Sequence, residues 1–170
     1  MKFNTIDDFD VKGKKILLRA DINSDVINGK VILTDRIRSC ALTIKELQEK
    51  NARIIVIAHQ GRPKNYDFIS LKQHANLLNK FIKIEFVYST INNKAINVIR
   101  NLKNGEAVLL ENLRFLKEEF NLSKKNKLIE ILGKECDYYI NDAFSVSHRK
   151  QTSIIGFPKI LKSGIGRLKE

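Results

Sequence analysis

Long apolar runs are missing from this sequence. No stretch approaches the roughly 20 residues that a membrane-crossing helix needs, so no membrane partner is expected. The N-terminus, Met1-Lys2-Phe3-Asn4-Thr5-Ile6-Asp7-Asp8, brings acids early and no apolar stretch. That pattern does not suit a signal peptide, and the cytoplasm is the expected location. Cysteine is scarce: Cys40 and Cys136 are the two present. Neither stands in a Cys-x-x-Cys pair, so a metal or redox site is not expected. Both should be buried or half-buried free thiols, because an isolated thiol behaves as a small hydrophobe. Acids are outnumbered, 19 against 31 Lys and Arg, for a net charge of +12. Such a balance favours anionic partners: nucleic acid, phosphorylated metabolites or acidic membranes. No P-loop, His-Glu-x-x-His or Gly-x-Ser-x-Gly motif occurs. Solenoid-period repeats and low-complexity segments are also absent.

What remains is ordinary globular composition, 43% hydrophobic and 29% charged over 170 residues, enough for one domain with a sizeable core. Short β-rich runs alternate with helical stretches. Lys15 to Ala20 reads as a first strand. Asn28-Gly29 makes a tight turn before a second, Lys30 to Leu33. Thr34 or Asp35 can cap a helix whose apolar positions are Ile37, Cys40, Ala41, Ile44 and Leu47, with a stop at Asn51. Ile54 to Ala58 is an unbroken apolar strand, as expected in a parallel sheet covered on both faces. Ser70 and Gln73 have capping-box spacing at the head of a further helix. Ile84 to Val87 and Ala107 to Leu110 are strands around a helix from about Asn92 to Leu102. Ser123 should cap a Lys-rich helix to Gly133 with a solvated face, and Tyr138 to Ile140 is another strand. The alternation predicts a doubly wound α/β domain. Linker signals fall at Gln60 to Ile69 and Gly156 to Gly166. Gly164-Ile165-Gly166 reads as a hinge or turn, and residues 163–170 read as the start of a new helix.

In open α/β sheets, ligands bind outside the carboxyl ends of the strands. Asp21 and Asn23 follow the first strand. His59, Gly61 and Arg62 follow the Ile54 strand. Glu111, Asn112 and Arg114 follow the Ala107 strand. Asn141, Asp142, His148 and Arg149 follow the Tyr138 strand, and Arg36 opens the first helix. Only nine of the 31 cations are arginine, yet Arg36, Arg62, Arg114 and Arg149 all fall at this one edge. The planar guanidinium makes two parallel hydrogen bonds to a phosphate or carboxylate, so the placement suggests a small, multiply anionic ligand. Taken singly, each has a blander reading. A lone Arg after a strand is usually a surface residue, His59 and His74 can be structural, Asp21 can pair with Arg19 or Arg36, and Asn23 can be a turn residue.

These segments carry a resemblance. Leu18-Arg19-Ala20-Asp21-Ile22-Asn23, Thr34-Asp35-Arg36-Ile37-Arg38, Ala58-His59-Gln60-Gly61-Arg62-Pro63, Leu109 to Phe115, and Asn141-Asp142-Ala143-Phe144 with His148-Arg149 resemble five phosphoglycerate kinase motifs, in family order. Ala58 to Pro63 and Ser70 to Ala75 look closest to the archaeal branch. The resemblance implies a Rossmann-like substrate-binding N-terminal domain over 1–162, with 163–170 beginning an interdomain helix. It implies that the positions matching Asp21 and Asn23 contact the glycerate end of 3-phosphoglycerate. Those matching His59, Arg62, Arg114 and Arg149 bind it too, with the arginines on its phosphate. The position matching Arg36 is the catalytic one, steadying the phosphoryl group in transfer. The implied reaction is reversible phosphoryl transfer between 1,3-bisphosphoglycerate and ADP. Mg-ATP or ADP would be bound by a C-terminal nucleotide-binding half, in cis or in trans, and not by this chain. A monomer without a nucleic-acid partner and without turnover of its own is expected. The family's usual proline shortly after the Asn is missing from Asn23-Ser24-Asp25-Val26. The contrasting readings are a basic nucleic-acid-binding module and an inactive remnant.

Overall fold

A computed structural model describes residues 4–123, 125–146 and 148–168. Six strands form one parallel sheet: β1 (Lys15–Arg19), β4 (Arg53–Ile57), β5 (Glu85–Val87), β6 (Ala107–Leu110), β7 (Tyr138–Asn141) and β8 (Lys162–Ile165). Their order across the sheet is β5-β6-β4-β1-β7-β8. A separate two-residue hairpin pairs β2 (Val26–Ile27) with β3 (Lys30–Val31). Asn28 and Gly29, with φ of 49° and 73°, form its turn; a two-residue hairpin needs this left-handed backbone.

The described residues also form five α-helices: α1 (Asp35–Glu49), α2 (Lys72–Leu78), α3 (Asn93–Asn101), α4 (Lys127–Glu135) and α5 (Thr152–Ile155). The apolar strands alternate between two cores. Ile16, Leu18, Ile54, Val56 and Leu109 pack with Ile37, Ile44 and Leu47 of α1 and with Ala75 and Leu78 of α2. Leu17, Ile55, Ile57, Val108 and Tyr139 pack with Ala95 and Ile99 of α3 and with Leu128 and Leu132 of α4. The central strands are largely apolar because both faces are covered. This is the expected doubly wound α/β architecture. Cys40 and Cys136 are buried and free, and burial pushes the Cys136 thiol up to about 12. Among the described residues no helix is long and apolar enough to cross a membrane.

Three local expectations are corrected. First, Lys162–Ile165 is a strand parallel to β7, where a helix start and a glycine hinge were expected. A Cβ on Gly164 would come within 2.6 Å of the Phe9 ring and 2.9 Å of the Asn4 carbonyl oxygen, so the glycine lets the N-terminal segment lie against the strand. Thr5 bridges to Ile165 from that side. Lys169 and Glu170 lie outside the described residues. Second, α4 starts at Lys127, and Asn126 rather than Ser123 caps it, accepting from the amides of Leu128 and Ile129. Lys124, part of the expected Lys-rich helix, lies outside the described residues. Third, Ser70 and Gln73 form no capping box. Ser70 donates to Glu111, and Gln73 is taken by the hairpin, accepting from Val31 N–H and donating to the Gly29 carbonyl.

Candidate functional site

The carboxyl ends of β6, β4, β1 and β7 open into one cleft of about 280 Å³. Asn23, Arg36, His59, Arg62, Arg114 and Arg149 line it, and Asp21 is buried at its edge. Seven residues spread over nearly the whole chain thus meet where the topology places ligands. Asn65, Asp67 and Ser145, which the sequence did not single out, also line the cleft.

Several of the cleft's side chains are held by hydrogen bonds to neighbouring loops. Asp21 accepts from Arg36 Nη1 (3.3 Å) and from the Ser145 amide (3.4 Å), tying α1 to the loop after β7. Asn23 Oδ1 accepts from Gly61 N–H at 2.8 Å. Gln60 clasps the next residue from both sides: its Oε1 accepts from Ser24 N–H and its Nε2 donates to the Ser24 carbonyl, each at 2.9 Å. His74 Nε2 makes a second bond to the same Oε1, also at 2.9 Å. That clasp fixes the loop from which the family's proline is missing. Asn112, fully buried, bonds both the amide and the carbonyl of Gln60 and the Ile69 carbonyl. The 60–69 segment is therefore a wall of the cleft, not an interdomain linker. Gly61 is required there: φ is +68°, and a Cβ would meet the Asp67 carbonyl oxygen at 2.3 Å.

The electrostatics are lopsided. Among the described residues the cleft contains one ion pair, Arg36 with Asp21. Arg62 and Arg149 have no carboxylate partner among those residues. Arg114, 6% exposed, donates to the Gly61 carbonyl, and its buried Nε has no hydrogen-bond partner. Burial, then the neighbouring Arg149 and Arg19, push the Arg114 guanidinium down to about 10. Burial and the surrounding arginines hold the His59 imidazole far below its ordinary range, so it is neutral. Burial alone lowers His74 to about 4. A cleft that concentrates cations and leaves the buried Arg114 Nε without a partner among the described residues can attract an anion of more than one charge. Among the described residues no cluster of three His, Cys, Asp or Glu is placed to hold a metal.

Arg19 was noted only as a possible partner of Asp21, and it turns the other way. It is fully buried, donating to Ser153 Oγ (2.9 Å), to the Ala20 carbonyl (2.7 Å) and to His59 Nδ1 (2.9 Å). Glu119, also fully buried, accepts from the Ser153 amide and hydroxyl at 2.9 and 2.6 Å. The sequence signal was a lone cation inside an apolar strand, Ile16-Leu17-Leu18-Arg19-Ala20, which burial tolerates only with a full set of partners.

The family model described as phosphoglycerate kinase matches residues 6–170. The chain belongs to the phosphoglycerate kinase family. The phosphoglycerate kinase of Aeropyrum pernix is 42% identical over 174 residues, covering 98% of this chain and 42% of that protein. That of Sulfurisphaera tokodaii is 44% identical, covering 97% and 42%. The crystal structure of phosphoglycerate kinase from Pyrococcus horikoshii has a TM-score of 0.89 at 35% identity, covering 96% of this chain and 42% of that one. The enzyme from Coxiella burnetii follows at 0.83 and 28%, covering 99% and 42%. The chain spans about two fifths of the length of these phosphoglycerate kinases, and it is their N-terminal domain that it matches.

Proposed function

We propose that this chain is the 3-phosphoglycerate-binding half of a phosphoglycerate kinase. The observation that carries the reading is the cleft in which Arg62, Arg114 and Arg149 meet without carboxylate partners among the described residues. 3-Phosphoglycerate has two anionic ends, and the cleft has two kinds of lining. Arg62, Arg114 and Arg149 suit the phosphate. Asp21, Asn23 and His59 suit the hydroxyl and carboxylate of the glycerate end. Arg36, held by Asp21 and 47% exposed at its side chain, stands where it can neutralise charge on a phosphoryl group arriving from outside the cleft. Phosphoryl transfer needs mainly positioning and charge stabilisation, and this set of residues supplies both without a nucleophile of its own. Mg-ATP or ADP would be held by the remainder of the family's length, in cis or in trans, so this half binds substrate and turns over little alone.

Calorimetric titration of the chain with 3-phosphoglycerate, beside Arg62→Ala, tests the reading. Saturable one-to-one binding, weakened roughly tenfold or more in the variant, is expected from the loss of a charge-assisted hydrogen bond. Absence of binding to the folded wild type overturns it. Should a nucleic acid bind instead, with affinity falling steeply as salt rises, the +12 charge serves that partner.

A further inference from the structure

Guanidinium has five N–H donors and no acceptor. The 2.9 Å contact between Arg19 Nη2 and His59 Nδ1 therefore has only one sense: the arginine donates and Nδ1 accepts. An imidazole whose Nδ1 accepts and which is neutral must carry its proton on Nε2. Nε2 has no partner among the described residues, and His59 lines the arginine cleft. Behind it the geometry is closed. Arg19 is fixed at Nε by Ser153 Oγ and at Nη1 by the Ala20 carbonyl. Ser153 is fixed by Glu119 through both its amide and its hydroxyl, and its carbonyl accepts from Tyr139 Oη at 2.7 Å. All five side chains are buried.

We infer that Arg19, backed by Ser153 and Glu119, is a positioning residue that locks His59 in a single tautomer and presents Nε2–H as a fixed donor into the cleft. The inference rests on the proposed function for the ligand's identity, though not for the tautomer. A neutral donor has a use in this setting. With Arg36, Arg62, Arg114 and Arg149 already facing the site, a fifth cation adds repulsion. A directed N–H instead selects a ligand oxygen by position. Those four arginines and Arg19 are the cations facing His59 from the elements around it, and the acids are Asp67, which lines the cleft, and Asp21 at its edge, engaged by Arg36 and the Ser145 amide.

The test is a long-range ¹H–¹⁵N correlation spectrum of the ¹⁵N-histidine-labelled chain between pH 5 and 8, with His59 assigned by its loss in His59→Gln. The expected wild-type pattern is an acceptor-type Nδ1 and a protonated Nε2, unchanged over that range. A proton on Nδ1, or a doubly protonated ring within the range, overturns the inference. Arg19→Lys should keep the pattern, because the ammonium still only donates. Arg19→Met should mix the tautomers and raise the Kd for 3-phosphoglycerate roughly tenfold. A single Nε2–H tautomer in folded Arg19→Met removes Arg19 from the role. Should that variant not fold, the wild-type and Arg19→Lys spectra decide. If 3-phosphoglycerate does not bind the wild type at all, the proposed function fails while the tautomer result stands.

Discussion

Two groups of charge in this molecule use the same residue types and end differently. In the seam between α1 and the two chain ends, Arg167 donates to Glu46 at 2.9 and 2.6 Å and to Asp7 at 2.8 Å. Lys50 joins the same two acids at 2.8 and 3.0 Å. Each of these cations meets a carboxylate, and Arg167 and Lys50 hold the Glu46 carboxyl down at about 2. Among the described residues of the cleft only Arg36 meets an acid. The seam satisfies its charges internally, so it can fasten the chain but has little left for a ligand. The cleft leaves Arg62 and Arg149 without a carboxylate among the described residues, an arrangement that costs stability and that the proposed anionic ligand would complete.

The strongest attempt to break the comparison is Gly61→Ala. The new methyl would overlap the Asp67 carbonyl in a backbone conformation that alanine avoids. The 60–69 wall should shift, stability should fall by about 3 kcal/mol, and 3-phosphoglycerate binding should vanish in calorimetry. Retained affinity would mean that the wall does not shape the site. Next is Arg114→Ala, expected to cost about 2–3 kcal/mol in binding, since a buried guanidinium bonding an anion is worth that much. Its effect on urea unfolding should be smaller than its effect on affinity, because the wild type already buries this cation at a cost. The opposite ranking would make Arg114 a structural residue like those of the seam.

Acid separates the two groups further. His74 is lowered to about 4 when folded, while the unfolded histidine takes its proton near 6.5. The unfolded state therefore binds the extra proton first, and stability is lost as pH falls through 6.5 towards 4. Between pH 7 and 5 the loss from His74 is about 2 kcal/mol, and His59 acts in the same direction. Glu46, at about 2, is still ionised in the folded state at pH 5 and its unfolded form has only begun to take a proton there, so the seam contributes little to that loss. Urea midpoints at the two pH values, for wild type and His74→Gln, measure it; equal slopes with pH in both proteins would refute the assignment. The smallest effect belongs to the seam itself. Arg167→Ala should cost less than about 1 kcal/mol, diminish in high salt and leave ligand affinity unchanged, as expected of partly exposed pairs.

Much of this was legible in the residues. Short unbroken apolar runs located the strands and a helical spacing of apolar residues located α1, because burial on both sheet faces makes strands apolar and burial on one face makes helices one-sided. The seven site residues were legible because each lies just beyond a strand end or at a helix start, where the fold leaves backbone free to meet a ligand. Arg19 was not legible as a site residue. Its value lies in what it touches, and Ser153, its partner and the link to Glu119, is 134 residues away along the chain. The Gln60–Ser24 clasp was hidden for the same reason: an amide names no partner until the loops converge.

By itself the sequence determined the doubly wound α/β class, the buried free thiols, the Asn28-Gly29 turn and the crowding of arginine at one sheet edge. All of these are local patterns read within one element or one loop. Only tertiary structure decided that Lys162–Ile165 is a strand, that Asn126 caps α4, that Glu111 serves the head of α2, and that His59 faces a donor on its inner side. Each of those outcomes depends on a group brought in from far along the chain, and the free energy of a buried polar contact depends on that partner rather than on the residue's own preference.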